Sequence, residues 1–339
     1  MRSFILGIIY LTTATALAFG SPQLQSSSTC ENNPRLIEAV KKCDLENVNK
    51  LISRGVDVNA QDCDGNTALM FGVGCLVEIT DALIAAKVNL DTQNNEGKTA
   101  LIIATPDAWY PSNAAYYGAK ALIDAKANLD IKGKDGNTAL MLAVGNVELT
   151  KDLISAKANL DLLNKDGRTA LMLYALWYGT PEIIQTFADA KANLDIQDLD
   201  GNSALLLAAT RNAALVNTLI NAKAILNLQN KDGHTALMLA IIGDGERYHP
   251  EIAKALINAK ANLDLQVNNP SAINFSRTAL MMAIWPDKVD TLNMLIAAKA
   301  NLNIRTNQYA SPHRTALGLA IDHGFETSAK LIKDAGGTE

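Results

Sequence analysis

Histidine and cysteine are scarce in this sequence of 339 residues, and their spacing argues against catalysis and against a metal site. The chain has only four histidines, and no two of them are four residues apart. Its four cysteines form no C-x-x-C pair, the spacing typical of zinc sites. Glycine-rich phosphate loops and nucleophile-elbow motifs are also missing. We therefore predict a protein that is not an enzyme and that has no catalytic residue, metal or cofactor.

Positive charge is also in short supply. Lysine and arginine number 30 against 35 aspartates and glutamates, which leaves a formal net charge of -5. Proteins that bind nucleic acid neutralise phosphates with clustered basic side chains. A mildly acidic chain lacks that attraction, so we expect no nucleic acid among its partners.

Long apolar runs are missing after residue 18. The first 18 residues combine one positive charge at Arg2, an apolar stretch from Phe4 to Leu11 and a small-residue end at Ala16-Leu17-Ala18. This pattern predicts a secretory signal peptide over residues 1–18, followed by a polar leader over residues 19–33. The apolar stretch is too short for a membrane span. We thus expect a secreted or periplasmic protein that is not inserted in the membrane after cleavage.

Repetition is what the sequence has in abundance. A Thr-Ala-Leu triplet, once written Ser-Ala-Leu, recurs at steps between 31 residues (Thr138 to Thr169) and 43 residues (Thr235 to Thr278). The triplets begin at Thr67, Thr99, Thr138, Thr169, Ser203, Thr235, Thr278 and Thr315. Self-similarity at such a period predicts one elongated solenoid in place of several globular domains.

Each unit has three parts. It begins with a tight loop that carries Asp-Gly, as at Asp135-Gly136, where glycine and aspartate favour a turn. The threonine that follows fits a helix N-cap. Two helices with apolar periodicity come next, and neither could bury its apolar face alone. The segment from Pro34 to Gly55 has the helix pair without the loop, which suits a terminal capping repeat.

These residues resemble the ankyrin repeat, whose pattern is Asp-x-x-Gly-x-Thr-Pro-Leu-His, two helices and then Gly-Ala. The resemblance covers residues 34–337 as about nine repeats. It implies an all-α repeat fold, an ankyrin-type solenoid of helix-turn-helix units joined by β-hairpin-like loops, and a non-enzymatic role in binding proteins. This chain departs from the family by alanine in place of proline, and by methionine in place of the histidine that staples neighbouring repeats. The methionines are Met70, Met141, Met172, Met238 and Met281. We expect adhesion between repeats to rest more on apolar packing.

A second departure is lysine in place of the glycine that ends the second helix. It occurs in seven consecutive units, at Lys87, Lys126, Lys157, Lys191, Lys223, Lys260 and Lys299. Four residues further on stand Asp91, Asp130, Asp161, Asp195 and Asp264. Stacked units would place these as parallel ladders of opposite charge. Two interpretations are open, a self-neutralising solvated surface or a docking stripe for an acidic partner.

All three tryptophans and five of the eight tyrosines are predicted at the end of the first helix or in the turn after it. In a stack they would share one edge, which we name the aromatic edge. In ankyrin proteins the seventh and eighth residues after the threonine often face the partner, which adds an arginine and a histidine. The candidate partner-binding residues are Trp109, Tyr110, Tyr117, Trp177, Tyr178, Arg211, Tyr248, Trp285 and His323. Tryptophan, tyrosine and arginine most often carry binding energy. The alternative is that the rings only close the core between the helices.

All four cysteines lie in the first two units. Cys43 and Cys75 are at equivalent positions, and Cys30 is one residue from the stacked equivalent of Cys63. Pairs Cys30–Cys63 and Cys43–Cys75 are therefore the most plausible disulfides in an exported protein. Equivalent sites on packed helices are about 8–10 Å apart, whereas a disulfide needs Cα atoms within about 7 Å. Free thiols thus remain a second possibility.

The sequence as a whole predicts an exported scaffold for protein–protein interaction, with another protein as its partner and a monomer as its oligomeric state. One alternative, suggested by the resemblance, is a periplasmic accessory protein that supports a redox enzyme such as catalase. The other is a metal-binding enzyme that uses the inserted loops around His249 and His313, where Asp244 and Glu246 could join a cation site.

Overall fold

A computed structural model describes most of the chain. It covers residues 34–105, 113–177, 179–243, 249–272, 275–284, 288–307 and 314–339. The proposed signal peptide and polar leader lie outside these residues, as do Asp244, Glu246 and His313.

The described residues form eighteen short helices that follow one another in pairs. In chain order they are α1 (Arg35–Lys41), α2 (Leu45–Ser53), α3 (Ala68–Gly72), α4 (Val77–Ala85), α5 (Ala100–Ile103), α6 (Asn113–Asp124), α7 (Ala139–Leu142), α8 (Val147–Ser155), α9 (Ala170–Leu176), α10 (Pro181–Asp189), α11 (Ala204–Ala208), α12 (Ala213–Asn221), α13 (Ala236–Ile242), α14 (Pro250–Asn258), α15 (Ala279–Ala283), α16 (Val289–Ala297), α17 (Ala316–Asp322) and α18 (Glu326–Asp334). Odd-numbered helices are the first of each pair and even-numbered helices the second.

The helices form two layers around one continuous core. First helices pack on first helices, as α9 does on α11 and α11 on α13, and second helices pack on second helices, as α10 does on α12. The Ala-Leu-Met segments of the first helices are buried along the whole stack. The apolar sides of the second helices, such as Leu149 and Leu153 of α8, are fully buried against them. The predicted helical solenoid is confirmed.

Threonine caps most of the first helices, as the repeat pattern predicts. The capping hydroxyl accepts a hydrogen bond of 3.2–3.4 Å from the backbone N–H three residues further on, which satisfies one of the helix's free donors. This bond is made by Thr99, Thr138, Thr169, Thr235, Thr278 and Thr315. Ser203 is different, because its buried hydroxyl makes no such bond.

The loops between helix pairs are turns, not strands. Among the described residues only isolated bridges join extended backbone, Gln61 with Thr67 and Gln266 with Thr278. At five successive steps a backbone bond connects one loop tip to the next, for example from Asn95 N–H to the carbonyl oxygen of Asp64 at 2.8 Å. Glycine is required at these tips: Gly136 has φ 84°, and an added Cβ would lie 2.7 Å from the backbone nitrogen of Lys165.

Side-chain amides add a second connection between the loops. In five loops a glutamine Nε2 donates to a carbonyl of its own loop and to a carbonyl of the next one, at 2.5–3.4 Å. These are Gln61, Gln93, Gln197, Gln229 and Gln266. The methionines that replace the family's histidine are buried as expected. The expectation that adhesion rests more on apolar packing is nevertheless incomplete, because polar bonds also link the loops.

The predicted acidic ladder exists, but it is bonded to backbone and not to lysine. At eight successive steps an Asp or Asn Oδ1 accepts a bond of 2.7–2.9 Å from a backbone N–H of the following unit. The acceptors are Asn59, Asp91, Asp130, Asp161, Asp195, Asn227, Asp264 and Asn303. A carboxylate that accepts from an N–H makes a strong bond. The aspartates therefore hold adjacent units in register.

The seven lysines all adopt the left-handed backbone conformation that ends a helix. Their φ angles lie between 60° and 70°. This conformation costs a residue with a side chain about 1 kcal/mol relative to glycine. A cation at a helix C-terminus recovers about 0.3–1 kcal/mol of that.

One loop interface uses a charged pair where three others use two asparagines. Arg168 Nε donates to Oδ2 of Asp198 at 3.3 Å, and the side chain of Asp198 is only 1% exposed. Asp198 also accepts from the backbone of Asp200 and Asn202, at 3.0 and 2.8 Å. The corresponding asparagine pairs, joined at 2.8–3.0 Å, are Asn94–Asn66, Asn164–Asn137 and Asn230–Asn202.

Replacing Arg168 by alanine is therefore expected to lower the free energy of unfolding by about 1–3 kcal/mol, because a buried carboxylate loses its cation. The double variant Arg168→Asn, Asp198→Asn should return to within about 1 kcal/mol of the wild type, because it rebuilds the neutral pair of the other interfaces. Urea denaturation followed by circular dichroism measures both. A double variant less stable than Arg168→Ala would contradict this account of the interface.

Candidate functional site

Four of the nine predicted partner-binding residues are described by the structure, namely Tyr117, Trp177, Arg211 and His323. All four are exposed to solvent. The other five candidates lie outside the described residues; they are Trp109, Tyr110, Tyr178, Tyr248 and Trp285.

Trp177 is the most exposed large apolar side chain among the described residues, at 62% of its full accessible area. It follows α9 directly, and its backbone N–H donates to the carbonyl of Leu173 at 3.1 Å, which fixes the position of the residue at the helix end. Tyr174, three residues earlier, is 2% exposed and belongs to the core. The two rings therefore have different roles, and only Trp177 can contact a partner.

Arg211 and His323 occupy comparable places in other units. Arg211 lies in the turn between α11 and α12, where its backbone N–H donates to the carbonyl of Ala208 at 3.1 Å. His323 directly follows α17, and its ring centre lies 6.0 Å from that of Phe325. Trp177, Arg211 and His323 are thus presented by the ends of first helices, as the sequence predicted.

Tyr117 is placed differently from the prediction. It lies inside α6, not in the turn before it, because that helix already begins at Asn113. Its ring is 53% exposed and lines an open groove of about 500 Å³ between α4 and α6, with Val77, Ile84 and Lys120 along the walls. The placement of Tyr117 in the turn is therefore wrong, since its ring belongs to the surface of the second helices.

Tyr116, the residue before Tyr117, is anchored to the second helix of the following unit. The hydroxyl of Tyr116, next to Tyr117, donates to Oδ2 of Asp152 on α8 at 3.0 Å. Burial, followed by the bond to Asp152, raises the pKa of Tyr116, which keeps the hydroxyl protonated as a donor. The two tyrosine rings meet edge to face, with centres 5.4 Å apart. Tyr117 therefore packs against a ring that is itself held in place by a hydrogen bond.

Metal-ligating side chains do not converge in the part of the chain that the structure describes. No group of three or more His, Cys, Asp or Glu residues there is placed to hold an ion. His249 has one acidic neighbour, Glu251, with Nδ1 and Oε1 3.1 Å apart. Burial lowers the pKa of His234, and its Nε2 has no hydrogen-bond partner. These histidines lie in separate environments and do not form a shared site.

A disulfide bond links the first two helix pairs. Cys43 lies in the turn between α1 and α2, Cys75 lies in the turn between α3 and α4, and the two form a disulfide with Cα atoms 5.8 Å apart. That distance is within the range of ordinary disulfides and is shorter than the general spacing of packed helices. Cys63 is disulfide-bonded as well, while Cys30 lies outside the described residues.

Two features of the structure were not predicted from the sequence, the glutamine row of the loops and the groove beside Tyr117. The glutamine row that links the loops was visible as a recurring residue directly before the Asp-x-Asp-Gly or Asn-x-Glu-Gly turn, as at Gln93 and Gln197. Alignment of the repeats by their turns would have found it. The groove beside Tyr117 had no such signal, because it depends on how two second helices pack.

Comparison with known families identifies the repeat. The sequence model described as Ankyrin repeats (3 copies) matches residues 36–107, 112–198, 173–269 and 205–306, which together cover most of the chain. The chain therefore belongs to the ankyrin-repeat family. Ankyrin repeats generally mediate protein–protein interaction and are typically non-enzymatic modules.

Solved structures show the same fold. The ankyrin repeat domain of Bcl-3, a member of the IkappaB family, is 24% identical over 66% of this chain and 98% of its own, with a TM-score of 0.57. The human ASB11 ankyrin repeat domain is 21% identical over 68% of this chain and 99% of its own, with a TM-score of 0.53. A chain from the complex of the Bd0816 predatory endopeptidase from Bdellovibrio bacteriovorus with immunity protein Bd3460 is 34% identical over 57% of this chain and 100% of its own, with a TM-score of 0.48. No curated protein matches the sequence.

In the described residues, no helix has both the length and the apolar character needed to cross a membrane.

Proposed function

We propose that this protein is an exported scaffold that binds another protein through the ends of its first helices. The observation that carries the proposal is Trp177, a tryptophan that is 62% exposed at the end of α9. A large aromatic ring in water is unfavourable, whereas the same ring buried at an interface contributes strongly to affinity. Arg211, exposed at the corresponding place two helices further on, is a second residue of the type that anchors interfaces.

Export is supported by the cysteines. Disulfides persist in oxidising compartments and are rare in the cytosol. The Cys43–Cys75 bond joins consecutive helix pairs, and Cys63 is bonded too. Together with the signal-like residues 1–18, these bonds favour a periplasmic or secreted protein.

Affinity capture tests the binding half of the proposal. The protein without residues 1–18 serves as bait for proteins of the exported fraction of its own cells. The double variant Trp177→Ala, Arg211→Ala should weaken binding of the captured protein by at least about 30-fold, because each hot-spot side chain contributes about 1–2 kcal/mol.

The control variant is Ile225→Ala, which also removes an exposed large apolar side chain, 50% accessible, but from the loop after α12. It should bind as the wild type does. Circular dichroism verifies that all three proteins are folded. Equal binding by the wild type and the double variant would place the interface elsewhere and reject the role of Trp177.

Mass spectrometry of protein recovered from the exported fraction tests whether the protein is exported. The expected mass lacks residues 1–18 and shows no thiol that reacts with a maleimide before reduction. An intact protein found only in the cytoplasm, with free thiols, would refute export.

A further inference from the structure

The seven lysines that end the second helices form a regular cationic row, which we name the lysine row. It consists of Lys87, Lys126, Lys157, Lys191, Lys223, Lys260 and Lys299, all of them exposed. None of these amines has an acid or a hydrogen-bond acceptor within reach among the described residues. The two helices of a pair are antiparallel, so the row lies at the opposite end of the helix layer from Trp177.

The backbone of the lysine row points to selection for the amine. All seven residues have φ between 60° and 70°, a conformation in which glycine is the common residue and asparagine the usual substitute. Gly55 ends α2 in this way, with φ 74°. Seven consecutive units instead carry lysine and accept the backbone strain. Strain that recurs at one structural position is a reason to look for a function of the side chain.

The aspartates of the neighbouring row do not neutralise these lysines through ion pairs. Asp130, Asp161 and Asp195 each accept a hydrogen bond from the backbone of the following unit. One oxygen of each carboxylate, Oδ1, thus takes part in stacking, and no lysine of the row lies within ion-pair distance of these aspartates. The amines remain available to a partner.

We propose that the lysine row docks an acidic α-helix of a partner protein, with carboxylates repeated every seven residues along one face. Packed helices lie about 8–10 Å apart, so the amines recur at about that distance. Residues seven apart on an α-helix are about 10.5 Å apart and lie nearly on the same face. A strand fits poorly, because residues three apart have the right spacing of about 10 Å but point to opposite faces.

A protein fits this surface better than a uniform polyanion does. The aspartate row runs beside the lysine row, and the whole chain has a net charge of -5. Nucleic acid, an acidic polysaccharide or an anionic membrane would bring negative charge against both rows and be repelled by one of them. A helix can present carboxylates to the lysines and neutral side chains to the aspartates. The inference rests on the proposed function in one respect, that the partner is a protein.

The test uses a 35-residue alanine-based helical peptide with glutamate at every seventh position, titrated against the full chain without residues 1–18. Fluorescence anisotropy of a label on the peptide reports binding. The row variant is Lys126→Gly, Lys157→Gly, Lys191→Gly, Lys223→Gly. It should bind at least tenfold more weakly while its melting temperature rises, because glycine relieves the left-handed backbone.

The control variant removes four exposed lysines outside the row, by Lys134→Gln, Lys165→Gln, Lys231→Gln and Lys254→Gln. It should retain the wild-type affinity, and a peptide with glutamine in place of each glutamate should not bind to the wild type. Equal weakening in the control and row variants would show attraction by net charge alone and overturn the proposal. Tighter binding to heparin or to phosphatidylglycerol vesicles than to the peptide would also overturn it, in favour of another class of partner.

The two proposals fail separately. The Trp177→Ala, Arg211→Ala variant should bind the glutamate peptide as the wild type does, because those residues lie at the other end of the helices. No peptide binding by the wild type would reject the lysine row and leave the capture result unchanged. Peptide binding that depends on the row, without any captured protein lost by the Trp177 variant, would reject the aromatic interface alone.

Discussion

Replacement of Tyr174 by alanine is expected to lower the free energy of unfolding by about 3–5 kcal/mol, the usual cost of removing a buried aromatic ring. Tyr174 is 2% exposed, and its ring centre lies 5.4 Å from that of Phe187 on α10. Its hydroxyl is hydrogen-bonded to Oγ1 of Thr150 on α8. One side chain thus joins α9 to the second helices of two units.

The hydroxyl of Tyr174 donates the hydrogen bond, and the hydroxyl of Thr150 accepts it. Burial raises the pKa of Tyr174, so the phenol stays protonated. Thr150 donates its own proton to the carbonyl of Asn146 at 2.7 Å and can accept the proton of Tyr174. The pair is therefore satisfied inside the core without water.

Tyr174→Phe is the matched control for this prediction. It keeps the ring and removes only the hydrogen bond, so it should cost about 1 kcal/mol. Denaturation in urea, followed by far-ultraviolet circular dichroism, gives both values. If the phenylalanine variant were as unstable as the alanine variant, the hydrogen bond and not the packing of the ring would dominate.

Loss of the Cys43–Cys75 disulfide is expected to destabilise the first two helix pairs by about 2–4 kcal/mol. The bond closes a loop of 32 residues in the unfolded chain, which restricts that state and thereby favours the folded one. In a solenoid each unit contacts only its neighbours, so the effect should be concentrated between α1 and α4.

Hydrogen exchange measured by mass spectrometry can localise that effect. The double variant Cys43→Ser, Cys75→Ser should lose protection in α1 and α2, while α9 to α14 keep theirs. Treatment of the same variant with a reductant then isolates the contribution of the bond at Cys63. Equal loss of protection along the whole chain would show that the array unfolds as one cooperative unit, contrary to this expectation.

Some of the polar contacts illustrate how far repeat sequences can be interpreted before a structure is known. Thr138 and Thr169 cap their helices as their positions in the repeat predict, because a cap depends on residues three apart in the sequence. The bond from Asn159 N–H to Asp130 is different, since its partners are 29 residues apart and meet only when units stack. The sequence predicted parallel rows of lysine and aspartate, but not this backbone bond.

The candidate partner-binding residues show the same difference between what the repeat pattern predicts and what packing decides. The place of Trp177 at a helix end was predicted from its position after the threonine, and the structure shows it there. Whether the ring is exposed or buried was left open by the sequence, and in the structure it is exposed. Tyr117 was placed in a turn because the repeat is longer there, yet the added residues extend α6. Local propensity does not determine how an insertion divides between a turn and a helix, because the packing of α6 on α4 decides where its apolar face begins.

The sequence by itself determined the class of fold, the helix pairs, their caps and the burial of the Ala-Leu-Met segments. All of these follow from residue spacing within one unit and from its repetition. Only the tertiary structure decided the contacts between units: the Asp and Gln ladders, the charged pair of Arg168 and Asp198, and the unpaired state of the lysine row. The physical reason is that hydrogen-bond partners about 30 residues apart in the sequence meet only when units stack. The residue pattern of a single repeat does not specify that stacking geometry.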